Sequence, residues 1–348
     1  MIISKTPCRI SFAGGGSDIP KYYEEFSGAV VSTTIDKYVY VMVTRKFDHR
    51  IRVSYSHTEE VDTVEEVDHP IVRECLKLFN SSGGVEITSI ADIPSRGTGL
   101  GSSSSFAVGL LNSLSAFAGR RASPETLART ASRVEIEICG NPIGKQDQYA
   151  AAYGSMNFLI FETGGNVNVT PIVCSSRTLQ KLQNNLLVYY TGITRSANEI
   201  LAEQTATMRD NREARAAMRR MVQLAWSFRN ELDGNSVDNV GEILHEGWMM
   251  KRSLSRGITN SDIDQCYEVA RRAGASGGKL LGAGGGGFLL LYVPEEKQAS
   301  VTAAMSHLRR LPIKFEREGS KIVFYNPTDL DVSDGIEPVV ENRKVLLS

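Results

Sequence analysis

Between Pro94 and Ser105 the chain reads Pro-Ser-Arg-Gly-Thr-Gly-Leu-Gly-Ser-Ser-Ser-Ser, and no other stretch restricts the fold as much. Its glycines, Gly97, Gly99 and Gly101, open backbone dihedrals that other residues avoid, so successive N–H groups can turn toward one concavity. Val85 to Ile90 before it alternates like a strand, and the serines open what reads as a helix running to about Ala118. Unpaired first-turn N–H groups and the positive dipole end of such a helix favour phosphate at the same place. The expectation is strand, glycine loop, helix, with an anion cradle at the junction. A plain surface loop is the alternative that composition leaves open.

The familiar phosphate motifs do not account for it. A Walker-type loop ends in Gly-Lys followed by a hydroxyl residue, and Gly144-Lys145-Gln146 and Gly278-Lys279-Leu280 both lack that hydroxyl. Gly282-Ala-Gly-Gly-Gly-Gly287 matches Gly-x-Gly-x-x-Gly literally, but a strand-like run, Phe288 to Val293, follows where a dinucleotide fold needs a helix.

At 348 residues the chain exceeds one typical core, so two domains are expected, 1–175 and 176–348, divided where composition changes near Ser175. The first is strand-rich, with strands over Ile2–Ala13, Ala29–Ile35, Tyr38–Thr44 and Arg50–Tyr55. A helix over Pro70–Phe79 and another from Ser123-Pro124 to about Ile138 follow. In the second, Ser196-Ala-Asn-Glu199 is a capping box for a long helix, Val237 to Leu254 a second helix, and Ser261-Asp-Ile-Asp264 a weaker box for a third. A hairpin over Lys279–Val293, a helix over Glu295–Leu311 and a strand over Lys321–Tyr325 complete an α+β layer.

A net charge of -1 gives no bulk electrostatic reason to bind nucleic acid or an anionic membrane, so the partners expected are small molecules. Five scattered cysteines with no Cys-x-x-Cys pair argue against a disulfide framework and a structural zinc site. The N-terminus lacks an apolar signal core and no run approaches a membrane span, so the cytoplasm is the expected location.

A phosphate cradle needs a metal ligand and a group to act on the incoming hydroxyl. Glu135 with Ser102 or Ser103 would offer the hard oxygens Mg²⁺ prefers, although Glu135 or Glu137 could instead face solvent on a helix. Asp147 would accept a hydroxyl proton or cap a helix N-terminus. Arg9, in the first strand, needs a partner if buried, either Asp147 beside a transferring phosphate or another strand's carboxylate. The basic run Met250-Lys-Arg-Ser-Leu-Ser-Arg256 reads as a solvated helix face.

Three separated stretches together resemble the GHMP kinases, the superfamily of galactokinase, homoserine kinase, mevalonate kinase and phosphomevalonate kinase. They are Thr6-Pro-Cys-Arg-Ile-Ser-Phe-Ala-Gly-Gly-Gly-Ser-Asp18, Pro94–Ser105 and Leu281-Gly-Ala-Gly-Gly-Gly-Gly-Phe288. The resemblance implies a ribosomal-protein-like α/β N-terminal domain and a ferredoxin-like C-terminal domain, with ATP and substrate between them. It implies an ATP-phosphate loop of Arg96, Gly97, Thr98, Gly99, Leu100, Gly101, Ser102, Ser103 and Ser104, and Mg²⁺ held by Ser102 and Glu135. It implies Asp147 as the catalytic aspartate and Arg9 beside the transferred phosphate. Asp18 matches a sugar-binding aspartate, with Gly15, Gly16, Ser17, Gly192, Arg195, Gly284 and Gly285 also on the substrate side.

Galactokinases carry Gly-Glu-His-Thr-Asp where this chain has Gly14-Gly-Gly-Ser-Asp18, which leaves more room and suggests a bulkier sugar. Ala13–Asp18, Gly144-Lys-Gln-Asp-Gln-Tyr149 and Tyr190-Thr-Gly-Ile-Thr-Arg195 are most similar to bacterial heptose 7-phosphate kinases, with L-fucose kinases next. The implied reaction is ATP-dependent phosphorylation of a sugar's anomeric hydroxyl, by a monomer or homodimer. A substrate that already carries phosphate would need a basic anchor, for which Arg195, Lys145 and Arg252 are candidates. A sugar-sensing regulator without catalysis and a phosphomevalonate-type decarboxylase are the other classes.

Overall fold

A computed structural model of the chain describes residues 1–94, 97–193, 200–201 and 212–326, with Arg256 through its backbone only. The first sheet is built around two long antiparallel strands, β1 (Ile2–Ala13) and β2 (Gly28–Arg45), with the short helix α1 (Pro20–Phe26) between them. β2 is one continuous strand where the sequence suggested two. Its burial changes along its length: Gly28 to Ile35 is buried throughout, whereas Tyr38 to Thr44 alternates. A strand covered on both faces reads as a continuous apolar run and a strand covered on one face alternates.

The second half of β2 pairs with β5 (Val85–Ala91), which pairs in parallel with β3 (Ile51–Ser54), beside the edge strand β4 (Thr58–Val61). Helix α2 (Pro70–Leu78) starts on Pro70, whose missing N–H costs nothing at that position. Helix α3 (Ser102–Phe117) lies on β1 and β2 and is buried nearly all round. Gly109 permits that approach, since a Cβ there would lie 2.7 Å from Thr6 Oγ1. Helix α4 (Pro124–Ser132), capped by Ser123, runs into a π-helical turn over Arg133–Ile138. Helix α5 (Gln146–Tyr153) follows, and then the hairpin of β6 (Met156–Phe161) and β7 (Val167–Pro171), with β6 on the first half of β2.

The second half of the chain opens with α6 (Ser176–Asn184) and β8 (Leu186–Tyr190), then runs through α7 (Arg212–Asp233), α8 (Val240–Ser253) and α9 (Ser261–Ala273). The N-cap of α9 is Asn260, whose side chain accepts from Asp262 and Ile263 N–H, one residue before the box expected at Ser261. Strands β9 (Gly277–Leu280) and β10 (Phe288–Tyr292) form the expected hairpin, followed by the short α10 (Gln298–Ala304) and β11 (Arg309–Arg310). The second sheet runs β11-β8-β10-β9. Its core is distinct, with Trp248, Tyr267, Leu187, Leu289 and Met218 among its members.

The last described strands do not finish the second sheet. β12 (Phe315–Glu316) pairs with β2, and β13 (Lys321–Tyr325) pairs antiparallel with β1, from Ile2 opposite Tyr325 to Lys5 opposite Lys321. The chain therefore returns to cover the outer edge of its own first strand. Among the described residues no helix is long and apolar enough to cross a membrane.

Candidate active site

The glycine loop joins β5 to α3 as the sequence predicted. Gly101 is the N-cap of α3 with φ +74°, and no side chain caps the helix, so its first-turn N–H groups face outward as an anion site requires. The loop rests on the other half of the molecule. A Cβ on Gly99, also at φ +74°, would lie 2.3 Å from Leu281 O, and one on Gly287 would lie 2.4 Å from Thr98 O. The glycine run after β9 therefore forms the wall behind the Gly97–Gly101 loop.

Arg9 and Asp147 meet at the mouth of that loop. Arg9 Nε and Nη2 each donate to one oxygen of the Asp147 carboxylate at 2.7 Å, and Nη1 donates to Gly99 O at 2.6 Å. Asp147 sits in the first turn of α5, whose N-cap is Lys145 with no side-chain cap, so its carboxylate partners Arg9 and does not cap the helix. The absence of a side chain at Gly101 makes space for this pair, since a Cβ there would be 3.2 Å from both.

Asp18 lies next to them, buried, in the turn after β1. Its carboxylate accepts the Gly16 N–H at 2.9 Å and the Gln146 main-chain N–H at 3.1 Å. Burial and the nearby Asp147 charge raise its carboxyl above the ordinary range, while these bonds oppose the shift. Beside it, Ser11 Oγ and Gln146 Oε1 are buried with no hydrogen-bond partner. Both lie next to Gly15, where a Cβ would be 3.4 Å from Ser11 Oγ and 3.8 Å from Gln146 Oε1. Buried polar atoms are nearly always satisfied, and these two stand unpartnered beside the Asp18 carboxylate.

The Glu135 alternatives are resolved by the π-helical turn, since Glu135 is fully buried and Glu137 exposed. Such turns recur at functional sites because the extra residue re-aims a side chain. Glu135 accepts from Ser103 Oγ at 3.1 Å and from Gln148 Nε2 at 2.6 Å, and burial pushes its carboxyl up to about 7 despite these bonds. A buried carboxylate beside loop hydroxyls is a donor set that fits Mg²⁺, which takes one or two carboxylates and completes its shell with phosphates and water. The hydroxyls of Ser103 and Ser104 both bond Glu135, and Ser102 is buried one residue closer to the helix cap.

The remaining expected residues scatter more widely. Gly285 N–H donates to Ile258 O at 2.8 Å and a Cβ on Gly284 would meet the same oxygen, so this part of the glycine run is packed on the short turn at Ile258 that follows α8. Gly192 is open on the side a Cβ would take, close to where Thr191 Oγ1 donates to Gly287 O. Ser17 is buried, with its hydroxyl bonded to Ala29. Lys145 donates to Gly165 O at 2.8 Å and Arg252 pairs with Asp264 at 3.5 Å, so both are engaged elsewhere. Arg96, Arg195 and the capping box Ser196–Glu199 lie outside the described residues.

The basic run at Met250–Arg256 needs correction. Lys251 is buried, because it continues the apolar stripe of Val240, Leu244 and Trp248 on α8. That spacing was the available signal. Gln146, which adjoins Asp147 in the same motif, donates its side-chain amide to Asp18 at 3.3 Å, a contact the sequence does not show.

Both halves of the chain resemble known proteins. The model for the GHMP kinases N-terminal domain matches residues 70–155 and that for the GHMP kinases C-terminal domain matches residues 224–308. The chain is 28% identical over 319 residues to D-glycero-alpha-D-manno-heptose 7-phosphate kinase of Campylobacter jejuni, covering 87% of this chain and 93% of that one. It is 30% identical over 302 residues to the bifunctional fucokinase/GDP-fucose pyrophosphorylase of Arabidopsis thaliana, covering 80% of this chain and 28% of that longer protein. Its fold matches a D-glycero-D-manno-heptose 1-phosphate kinase from Bacteriodes thetaiotaomicron with TM-score 0.77 and 24% identity, covering 94% and 100% of the two chains. The two-domain α+β fold that the resemblance implied is the one observed.

Proposed function

We propose, on the premise that this chain is a sugar kinase carrying both GHMP kinase domains, that it phosphorylates the anomeric hydroxyl of D-glycero-α-D-manno-heptose 7-phosphate. The product is the 1,7-bisphosphate and the donor is ATP. The observation that carries the reading is the juxtaposition of a two-point Arg9–Asp147 pair with an unsatisfied, hydroxyl-seeking recess at Asp18, Ser11 and Gln146.

In this mechanism the ATP phosphates lie on the N–H groups from Gly97 to Ser104, and Arg9 fixes the orientation of the Asp147 carboxylate. Each Asp147 oxygen keeps a lone pair after accepting from Arg9, so one accepts the proton of the acceptor hydroxyl as its oxygen attacks. The bond from that oxygen to phosphorus forms, the bond to the departing ADP oxygen breaks, and the proton resides on Asp147. Glu135 and Ser102 would hold Mg²⁺, which when bound neutralises phosphate charge. A small-sugar 1-kinase acting on L-fucose is the second reading, favoured by the identity to the plant fucokinase.

The test is ATP turnover against C6 and C7 sugars and their phosphates, with phosphorus NMR locating the new ester. Turnover restricted to heptose 7-phosphate with a new C1 phosphate supports the proposal. Equal use of unphosphorylated heptose or L-fucose, or phosphate at another carbon, overturns it.

A further inference from the structure

Two buried cations beside the transfer site have no part in the mechanism just described. Lys251 on α8 and Lys279 in β9 are 5% and 6% exposed. Each ammonium donates to a main-chain carbonyl, Lys251 to Gly282 O and Lys279 to Phe12 O at 3.2 Å. Among the described residues neither has a carboxylate within ion-pair distance. Burying an ammonium without a counter-charge costs several kcal/mol, and each has three donors to satisfy.

The charges around them locate the deficit. Lys251 is faced by Arg9 from β1, Asp18 from the turn after β1 and Asp147 from α5, and Lys279 by Arg9, Asp18 and Lys251 itself. Arg9, Lys251 and Lys279 can therefore supply three positive charges against the two carboxylates of Asp18 and Asp147. Arg9 already spends three of its donors on Asp147 and Gly99 O. Burial, with Arg9 next in weight, pushes the Lys251 ammonium down to about 8, and burial with Lys251 holds Lys279 well below the ordinary lysine range.

We propose that Lys251, backed by Lys279, is a catalytic residue of the phosphoryl transfer, its ammonium meeting the anionic oxygens of the nucleotide's terminal phosphoryl group. The proposal rests on the kinase reading and adds a cation supplied by the second half of the chain. Its placement follows from the contact that holds Gly282 behind Gly99, since the carbonyl that Lys251 bonds belongs to Gly282. A bound phosphate favours the charged ammonium, so nucleotide binding near pH 8 takes up protons.

The test compares full-length wild type, Lys251→Met and Lys251→Arg in ATP turnover, and measures proton uptake when a non-hydrolysable ATP analogue binds, by calorimetry in buffers of different ionisation enthalpy. Lys251→Met is expected to lower kcat at least about a hundredfold, as loss of one electrostatic stabiliser does. The Arg variant is expected to recover all but about tenfold of that loss, and the Met variant to lose most of the proton uptake. Wild-type turnover with kcat unchanged within about threefold in Lys251→Met overturns the proposal and leaves the kinase reading intact. So does an equal loss in both variants with proton uptake unchanged, which marks a structural hold on Gly282. So does an effect confined to phosphorylated acceptors, which marks a seat for the acceptor's own phosphate. Absence of wild-type turnover on any sugar is instead a failure of the kinase reading, and the analogue-binding arm still decides whether Lys251 meets phosphate.

Discussion

Asp18 holds the turn that carries Asp147, because its carboxylate accepts both the main-chain N–H of Gln146 at 3.1 Å and that residue's side-chain amide at 3.3 Å. The turn after β1 and the start of α5 are thus one mechanical unit. Replacing Asp18 by Asn sets an amide against a buried N–H and leaves a donor unsatisfied, at a cost of about 1–3 kcal/mol. We expect Asp18→Asn to raise the acceptor KM and lower kcat together, by about tenfold or more, while nucleotide affinity stays near wild type. Steady-state kinetics with each substrate varied checks it.

Asp147→Asn removes the proton acceptor and half of the fork to Arg9. The expected loss in kcat is at least about a hundredfold, in line with general-base contributions, with ATP-analogue affinity changed by no more than a few fold. Arg9→Lys retains the charge but not the two-point geometry, so it should lose part of the rate as well. A fully active Asp147→Asn enzyme would refute the assignment.

The metal-free protein should be more stable in mild acid than at neutral pH as far as Glu135 is concerned. Its folded-state carboxyl lies near 7, above the ordinary value of 4.5, so the folded protein binds the proton more tightly than the unfolded chain. That stabilisation is fully present below about pH 4.5 and is lost as pH rises through 7, a change on the order of 3 kcal/mol. Glu135→Gln, which stays neutral, should flatten this segment of the pH–stability curve measured by denaturant titration in a chelating buffer. An unchanged slope would contradict the buried site.

Gly99→Ala tests the contact between the halves without deleting any functional group. The new Cβ would meet Leu281 O at 2.3 Å from a positive-φ backbone, so the loop must separate from the glycine run. Nucleotide affinity is expected to fall more than tenfold, whereas Gly119→Ala, with open space at its Cβ position, should leave it unchanged. Calorimetric titration of both variants with the ATP analogue distinguishes them.

The parts legible in the sequence were those written locally. The loop from Gly97 to Gly101 announced itself by its glycines between a strand pattern and a helix, and most helices were found from periodicity and caps. Glu135 was ambiguous because a π-helical turn changes the phase of a helix without altering composition. Lys251 was misread because charge was given more weight than its position on the stripe with Leu244 and Trp248. Ser11 and Gln146 left no mark, since an unsatisfied hydroxyl or amide exists only once its neighbours are in place. The return of Lys321–Tyr325 to the first strand was invisible for a similar reason, because pairing across the length of a chain is set by which edge is left open.

That return governs the order of events at birth. The outer edge of β1, made first, acquires its neighbour only after Tyr325 has been synthesised, so for most of translation the nascent chain presents a row of unpaired N–H and C=O groups to its surroundings. Ile2 to Lys5 leave the ribosome long before the strand that shelters them.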